Sequence, residues 1–332
     1  MISATIDVLG VGNAIVDVLA QADDAFLASH SIAKGGMILI DEDRAKEIYA
    51  AMAPGVEMSG GSAANSIACV ASLGGRGGFI GKVASDALGE IFRHDLRSLG
   101  VAFDTAPLGE GPGTARCLVN VTPDAQRSMT TYLGAAGLVA PDDIDEKMVE
   151  RAEITFFEGY LFEQPIARQS FVKACEVAKR AGKRAALTLS DAGVVDRQHG
   201  SLVSFINGHV DILLANEQEA RTLFETDDIG RIEEKARALA PLTAVTMSER
   251  GSILIPREGE TVRIEAAKPA QLVDTTGAGD AYAAGVLFAL ARNFDLATAG
   301  AIGALAAAEV ISHFGARPQK PLRELASSAG LL

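Results

Sequence analysis

Short apolar runs alternate with helical patterns along most of this chain, and this alternation constrains the fold more than any other feature. Compact apolar runs occur at residues 6–11, 154–157, 185–189 and 211–215. Helical patterns lie between such runs, as in the segment that ends before Gly100. Strands separated by helices favour a mostly parallel sheet covered on both faces. The predicted fold class is therefore α/β.

Two segments interrupt the alternation. Residues 14–41 and 105–133 contain turn residues and β-leaning stretches instead of the strand and helix repeat. We interpret them as a small β lid interleaved with the large sheet, so that residues 1–332 form one α/β domain with a small appendage. A chain of 332 residues, 48% of them hydrophobic, is long enough and apolar enough to bury a core of that size.

A glycine-rich stretch near the end of the chain indicates a site for anions. The chain reads DTTGAGD up to Asp280, directly before an apolar helix predicted over 281–291. Gly277, Ala278 and Gly279 can turn backbone N–H groups towards an anion, and the helix N-terminus adds a favourable dipole. Asp280 would then take a proton from an attacking hydroxyl, which suits phosphoryl transfer. The alternative is a turn in which Asp280 only caps the helix.

A second glycine pair precedes a helix of small residues. The stretch GGSAAN ends at Asn65, so that Gly60 and Gly61 predict a tight turn and Ser62 a helix cap. Asn65 then lies in the first turn of the helix. The two glycines permit a ligand to approach the backbone and this amide, although a purely structural amide is the alternative.

Together the two stretches resemble the two signatures of the ribokinase (PfkB) family of carbohydrate and nucleoside kinases. The likeness extends over essentially all 332 residues. Within the family, residues 35–41 (GGMILID) and 113–129 resemble adenosine-kinase-like proteins of bacteria. The resemblance implies a ribokinase-like fold, with a large doubly covered sheet and a small β lid. It also implies that Asp280 is the catalytic base and that residues 277–279 hold the transferred phosphoryl group.

The resemblance also assigns substrate contacts. The stretch GNAIVD follows the first apolar run, and family members place a sugar-binding Asp where Asp17 stands. The implied substrate-binding residues are Asn13, Asp17, Gly60, Gly61, Asn65, Arg127 and Leu161. Arg127, in the predicted lid, would close over phosphate, and a solvated turn residue is the alternative. Leu161, with its neighbours Tyr160 and Phe162 and with Ile38, would form an apolar slot for a base; a core beneath the lid is the alternative.

Two further stretches are assigned to ATP and Mg²⁺. The stretch NEQE matches the family's Asn-x-x-Glu element, so the resemblance assigns Mg²⁺ to Asn216 and Glu219. The stretch TMSERG, residues 246–251, resembles a nucleotide-contacting turn, but Ser248 stands where many relatives have glycine or lysine. The implied ATP-binding residues are Asn216, Thr246, Ser248, Gly251, Gly277 and Gly279. A requirement for a monovalent cation stays open.

Composition excludes several other classes of protein. A net charge of −13 argues against a nucleic-acid surface. The first residues lack a basic start with a long apolar region, and the apolar stretch 299–310 is too short to span a membrane. We therefore expect a cytoplasmic protein with no membrane partner. The three cysteines, Cys69, Cys117 and Cys175, show neither disulfide nor zinc spacing and are expected in the core.

The expected activity is ATP-dependent transfer of a phosphoryl group to the 5′-hydroxyl of adenosine, by a monomer or a homodimer. The alternative within the same class is a kinase of a free sugar or sugar acid, such as ribose, fructose or 2-keto-3-deoxygluconate. A different class is a non-catalytic nucleoside-binding protein. An intact Asp280 beside the glycines argues against the last, because a binding protein needs no base at an anion site.

Overall fold

The structure is a computed structural model that describes residues 5–124 and 126–332. The first four residues, on which part of the expectation of a cytoplasmic protein rests, lie outside the described residues. Ala125, inside the second predicted lid segment, does too. Within the described part of the chain, no helix is both long and apolar enough to cross a membrane.

Strands and helices alternate as the sequence predicts. The strands are β1 (Ile6–Val11), β2 (Ile15–Gln21), β3 (Met37–Leu39), β4 (Val56–Gly60), β5 (Gly77–Ile80), β6 (Ala115–Val121), β7 (Arg127–Tyr132), β8 (Ala152–Glu158), β9 (Arg184–Thr188), β10 (Ile212–Asn216), β11 (Leu242–Thr246), β12 (Ser252–Pro256) and β13 (Val262–Ile264). The α-helices are α1 (Asp24–Ser29), α2 (Glu42–Ala51), α3 (Ser62–Ser72), α4 (Ala87–Ser98), α5 (Glu146–Arg151), α6 (Gly159–Phe162), α7 (Pro165–Arg180), α8 (Ala192–His209), α9 (Glu217–Phe224), α10 (Ile229–Leu239), α11 (Ala278–Ala291), α12 (Leu296–Val310) and α13 (Leu322–Ser328). Short 3₁₀ turns lie at Gly134–Leu138, Pro141–Asp143 and Ser248–Arg250.

The large sheet has eight strands in the order β13-β12-β11-β10-β9-β8-β1-β5. Its strands from β11 to β5 are parallel, and β12 and β13 join as an antiparallel edge. The four apolar runs predicted as strands correspond to β1, β8, β9 and β10. They are mostly apolar because helices cover both faces of the sheet. The predicted α/β fold class is confirmed.

A second sheet has five strands in the order β3-β7-β6-β2-β4. Segment 14–41 contributes β2 and β3, and segment 105–133 contributes β6 and β7. β4 comes from neither segment. Sequence reasoning missed it because Gly60 indicated a turn, whereas Gly60 pairs with Ile15 as the last residue of the strand. The lid function of this sheet stays a prediction.

α11 is the central helix that carries the glycine-rich motif into the core. It begins at Ala278 rather than at the predicted Ala281, and its residues 281–291 are all buried. α11 packs closely on α12, since a Cβ added to Gly285 would lie 2.5 Å from Cα of Gly303. This packing holds the N-terminus of α11 in a fixed position near the carboxyl ends of the strands. The three cysteines are free and buried, as predicted.

Candidate active site

A cavity of about 600 Å³ lies between the carboxyl ends of the large sheet and one face of the second sheet. The ends of β8, β10 and β11 contribute to it, because parallel strands bring their carboxyl ends to one edge. Predicted site residues that line it are Asn13, Asp17, Gly61, Asn65, Asn216, Glu219, Thr246, Gly277, Gly279 and Asp280. Predicted site residues outside this lining are Gly60, Arg127, Leu161, Ser248, Gly251 and Ala278.

Asp280 lies in the first turn of α11 and faces two donors from α3. Its Oδ1 accepts a hydrogen bond from the Ser62 hydroxyl at 2.6 Å, and its Oδ2 lies 3.5 Å from Nδ2 of Asn65. Burial raises the pKa of Asp280 to about 6, and these two hydrogen bonds oppose the rise. Asp280 is therefore mostly ionised at neutral pH, with a pKa suited to a general base. It is not the helix cap, because Gly277 holds the N-cap position.

The N-terminus of α11 offers free backbone donors. Gly277 has a φ of 77° and no side-chain cap. The amide of Ala278 donates to the carbonyl of Thr275 at 3.2 Å, whereas the amides of Gly277 and Gly279 have no acceptor within the described residues. Ala278 was predicted to hold the anion as well; its amide is engaged in this structure, and its role stays a prediction. Two free donors and the helix dipole fit the phosphate groups of a nucleotide.

Asp17, on β2, is a partly buried carboxylate without a hydrogen-bond donor. No side chain or backbone group among the described residues donates to it. Burial raises the pKa of Asp17 to about 6, while the charges of Arg317 and Arg127 lower it and the charge of Asp280 raises it. A carboxylate that faces the cavity without a donor from the protein is free to accept hydrogen bonds from a ligand. Asp17 therefore fits a ligand that carries hydroxyl groups.

Gly60 supports Asp17 by its lack of a side chain. A Cβ added to Gly60 would collide with the Asp17 carboxylate. Gly60 was predicted to contact substrate, but it lies outside the cavity lining, and the structure gives it a different role. It leaves room for Asp17 between β2 and β4.

Glu158, at the end of β8, lines the cavity and was missed by sequence reasoning. Its Oε1 accepts hydrogen bonds from the backbone and the side-chain amide of Asn13, at 2.9 and 2.6 Å. Its Oε2 accepts from the backbone of Ala63 at 2.8 Å. Burial raises its pKa to about 7, and these hydrogen bonds oppose the rise. The sequence did contain a signal for this residue: a glutamate follows directly after the apolar run 154–157, and the carboxyl ends of such strands meet at the cavity.

Ser62 was predicted to cap α3, and the structure corrects this. The N-cap of α3 is Gly61, with a φ of 95° and no side-chain cap. The Ser62 hydroxyl is therefore free to donate to Asp280, from the other glycine-containing motif. The hydrogen bond connects the two motifs, which are 218 positions apart in sequence.

Arg127 is not a solvated turn residue. Its guanidinium pairs with the Asp274 carboxylate, and the two side chains are only 11% and 7% exposed. Asp274 also accepts from the backbone of Thr276 at 3.0 Å and of Gly315 at 3.0 Å. Arg127 therefore joins the second sheet to the loop before α11. In this structure it contacts Asp274 rather than lining the cavity.

Asn216 and Glu219 bind each other at the start of α9. The Asn216 side chain donates to Oε1 of Glu219 at 2.6 Å, and the Glu219 amide donates to Oδ1 of Asn216 at 2.8 Å. Burial raises the pKa of Glu219 to about 7, so a nearby cation would favour its ionised form. Mg²⁺ needs only one or two protein carboxylates when phosphate and water supply the other oxygens. The pair therefore fits Mg²⁺ bound together with a nucleotide, although the described residues contain no cluster of three such ligands.

The predicted apolar slot is placed differently in the structure. Leu161 and Phe162 are buried in the core, and Leu161 does not line the cavity, so the structure gives no support to its prediction as a substrate contact. Ile38 lies outside the cavity lining, whereas its neighbours on β3 line it, because side chains alternate along a strand. Apolar side chains that line the cavity from the second sheet and its end are Ile15, Met37, Leu39, Cys117, Met129 and Leu133. Tyr160 lines the cavity from α6.

Only the first residue of the predicted nucleotide turn lines the cavity. Thr246 does so from the end of β11, while Ser248 and Gly251 lie beyond it. Gly251 has a φ of 82°, and a Cβ there would collide with the carbonyl of Ile264. This glycine is therefore explained by close backbone packing rather than by a ligand.

Comparisons with known proteins agree with this fold. The sequence profile of the pfkB family carbohydrate kinases matches residues 31–323. The solved structure of an adenosine kinase from Sinorhizobium meliloti shares 46% identity and a TM-score of 0.90, with 98% of this chain and 100% of that chain covered. That of a probable sugar kinase from Rhizobium etli shares 42% identity and a TM-score of 0.91, with coverages of 99% and 100%. Adenosine kinase of Saccharomyces cerevisiae is 26% identical over 339 residues, covering 96% of this chain and 98% of that protein.

Proposed function

Because the chain belongs to the pfkB family of carbohydrate kinases and is a phosphotransferase that acts on hydroxyl groups, we propose that it phosphorylates the 5′-hydroxyl of adenosine. The family's reaction is ATP-dependent phosphorylation of a sugar or a nucleoside, generally with Mg²⁺. The proposal concerns the acceptor and the roles of individual residues.

In this proposal Asp280 takes the proton of the acceptor hydroxyl as that oxygen attacks the γ-phosphorus of ATP. The free amides of Gly277 and Gly279 hold the phosphoryl oxygens, whose charge must be stabilised during transfer. Ser62 keeps the Asp280 carboxylate oriented through its 2.6 Å hydrogen bond. The bond between the β- and γ-phosphates breaks, and ADP leaves with the other two phosphates.

Asp17 would bind the ribose hydroxyls, because it is an acceptor that faces the cavity and has no donor within the described residues. Asn65 would add an amide donor, and Asn13 is held at the cavity by Glu158. Two adjacent hydroxyls of a ribose can satisfy an acceptor and a donor at once. This arrangement supports a ribose-containing acceptor.

ATP would extend along the Gly277 and Gly279 amides towards Thr246, with Mg²⁺ held near Asn216 and Glu219. The metal would neutralise charge on the phosphates. Burial raises the pKa of Glu219 to about 7, so a neighbouring cation would favour its ionised form.

The apolar side chains that line the cavity favour adenosine as the acceptor. Ile15, Met37, Leu39, Cys117, Met129 and Leu133 line the cavity on the same side as Asp17. A free sugar would leave these side chains in contact with water, whereas a purine would bury them. The similarity to an adenosine kinase from S. meliloti at 46% identity supports the same acceptor.

A kinase of a free sugar or sugar acid is the second candidate, and the likeness to a probable sugar kinase from R. etli at 42% identity favours it. A non-catalytic nucleoside-binding protein is disfavoured, because Asp280, with its raised pKa, and the free glycine amides have no use in binding alone. Adenosine kinase activity, sugar kinase activity and non-catalytic binding predict different outcomes in one experiment.

The test is formation of ADP with Mg²⁺ and a panel of acceptors, with 5′-deoxyadenosine as the matched control. The proposal predicts ADP and adenosine 5′-phosphate with adenosine. It predicts binding but no ADP with 5′-deoxyadenosine, because only the acceptor oxygen is missing. ADP formed with a sugar but not with adenosine would favour the second candidate. Binding of adenosine without ADP would favour the non-catalytic protein.

A further inference from the structure

Arg317 connects the cavity to two other parts of the protein, and the proposed mechanism gives it no role. It lies in the loop between α12 and α13, with its side chain 15% exposed. Its Nε donates to Oδ1 of Asn65 at 3.3 Å, and its Nη1 donates to Oδ2 of Asp95 at 2.9 Å. Asp95 in turn accepts from the backbone of Ser59, on β4, at 2.9 Å. Arg317 thus spans α3, α4 and the second sheet.

The contact with Asn65 determines which way that amide faces. A guanidinium only donates hydrogen bonds, so the group of Asn65 beside it must be the carbonyl oxygen. The Nδ2 group is then directed towards Asp280, at 3.5 Å. The opposite orientation would place the amide oxygen against the Asp280 carboxylate and the Nδ2 donors against the Arg317 guanidinium, and both contacts are repulsive.

Arg317 also supplies positive charge to Asp17. The charged groups that act on Asp17 are Arg317 and Arg127, which lower its pKa, and Asp280, which raises it. The thiol of Cys117, its neighbour across the strand pair, has its pKa raised by burial and by Asp17 and stays neutral. Arg127 is already paired with Asp274. Arg317 has no such buried carboxylate partner of its own beyond Asp95, and its Nη2, like Nε of Arg127, has no hydrogen-bond partner within the described residues.

We propose that Arg317 is a positioning residue for the acceptor: it holds the Asn65 amide with its donor towards Asp280. This inference rests on the proposed function, since Asn65 is assigned there to the ribose. Arg317 does not contact the transferred phosphoryl group. Its removal should therefore weaken acceptor binding more than it slows the chemical step.

Two substitutions separate the two effects of Arg317. Arg317→Met removes both the hydrogen bond and the charge. We expect the Kd and KM for adenosine to rise about 10- to 100-fold, with kcat within about threefold and the KM for ATP unchanged. The pH below which adenosine affinity falls should rise by about one unit, because Asp17 loses a neighbouring cation. Arg317→Lys should leave the pH at which adenosine affinity falls unchanged, because it keeps the charge. It should not restore adenosine affinity, since an ammonium group cannot reproduce the planar contacts of the guanidinium with Asn65 and Asp95.

Arg263→Met is the matched control, because Arg263 lies on the edge strand β13 with its side chain 63% exposed and, within the described part of the chain, pairs with Glu233 alone. It should leave adenosine affinity and its pH dependence unchanged. Affinity and pH dependence that also stay unchanged in Arg317→Met would overturn the proposal. A second outcome would also overturn the proposal: in both Arg317 variants, kcat, the affinity for adenosine and the affinity for ATP fall equally and the Tm is lowered. That result would indicate a purely structural role.

The same measurements distinguish failure of this inference from failure of the proposed function. An unsubstituted protein that binds and phosphorylates a free sugar in place of adenosine refutes adenosine as acceptor. The Arg317 variants are then compared with that sugar, and the same shifts in affinity and pH dependence support the inference. An unsubstituted protein that binds no acceptor from the panel overturns both.

Discussion

Asp280 has the position and the ionisation expected of a general base. It follows two glycines with free amides, and burial raises its pKa to about 6. A carboxylate with this pKa is mostly ionised at neutral pH and is still a better proton acceptor than an exposed aspartate. The hydrogen bond from Ser62 limits the orientations of the carboxylate. Both properties result from burial in the first turn of α11.

Replacement of Asp280 by Asn keeps the size of the side chain and removes the base. We expect kcat to fall by about 10² to 10⁴, with little change in the KM for ATP. Asp227→Asn is the control for loss of one negative charge, because Asp227 is 90% exposed. Steady-state kinetics on folded variants test this. Near-normal turnover of Asp280→Asn would show that another group accepts the proton.

Sequence reasoning identified the site residues that lie in short motifs. Asp17, Asn65 and Asp280 were predicted, and all three line one cavity. Glu158 and Arg317 belong to no motif, and their roles depend on contacts between distant segments that spacing along the chain does not reveal. Their roles in binding and catalysis stay predictions until the variants are measured.

The start of α11 depends on two glycines with different physical constraints. Gly277 has a φ of 77°, and a Cβ there would lie 2.6 Å from Cβ of Ala316. A Cβ added to Gly279 meets no atom within 4 Å. Gly277 is thus required by the fold, whereas the space beside Gly279 is free for a ligand.

Substitution of the two glycines by alanine should therefore separate stability from activity. Gly277→Ala should lose about 1 to 3 kcal/mol of unfolding free energy through the left-handed φ and the contact with Ala316. Gly279→Ala should change stability by less than about 1 kcal/mol but lower kcat at least about tenfold, because its methyl group enters the phosphoryl site. Urea unfolding and kinetics test both. Full activity of Gly279→Ala would place the phosphoryl group elsewhere.

The second sheet shows why elements were easier to predict than their boundaries. Segments 14–41 and 105–133 were recognised because they lack the strand and helix repeat, and both contribute strands. β4 was missed because its final glycine also fits a turn. Its pairing with β2 depends on long-range contacts. The predicted lid action of this sheet requires a measurement of motion.

Closure of the second sheet over the acceptor should be visible by hydrogen exchange. We expect amides in segments 14–41 and 105–133 to become protected when adenosine binds, because closure would exclude water from the cavity. Helices α7 and α10, which do not line the cavity, are the internal control and should not change. Identical exchange of the two segments in the free and the bound protein would contradict a closing lid.

For the whole molecule, the cavity carboxyls set the pH dependence of stability. Burial raises the pKa of Asp17 and Asp280 from 3.8 to about 6 and that of Glu158 and Glu219 from 4.5 to about 7. Each group binds a proton more tightly in the folded protein. Its contribution to stability is therefore fully present below the unfolded pKa and is lost as pH rises through the folded pKa.

The Tm should therefore rise by a few degrees as pH is lowered from about 7.5 to about 5.5. Carboxyls with lowered pKa, such as Asp86 and Asp95, oppose this only at lower pH, below their unfolded pKa of 3.8. Asp280→Asn should reduce the slope, since it removes one raised group. Calorimetry across this range tests the account. A Tm that falls on acidification would mean that ionisation of these carboxyls in the folded protein carries no free-energy cost.

The fold at the largest scale was predictable because its signals are periodic and spread over the chain. The alternation of apolar runs and helices predicted the α/β class, and the two glycine motifs indicated the pfkB family. The structure and the family match over residues 31–323 confirm both. The identity of the acceptor was harder to predict from the sequence. Leu161, predicted in the apolar slot, is in the core, whereas apolar side chains from the second sheet line the cavity.

Competition between acceptors at fixed ATP tests the central claim most directly. An apolar slot that buries a purine contributes about 2 to 4 kcal/mol, so kcat/KM for adenosine should exceed that for ribose or fructose by about a hundredfold or more. The measurement is the ratio of the phosphorylated products when both acceptors are present. Ribose or fructose that equals adenosine in kcat/KM would contradict the nucleoside assignment.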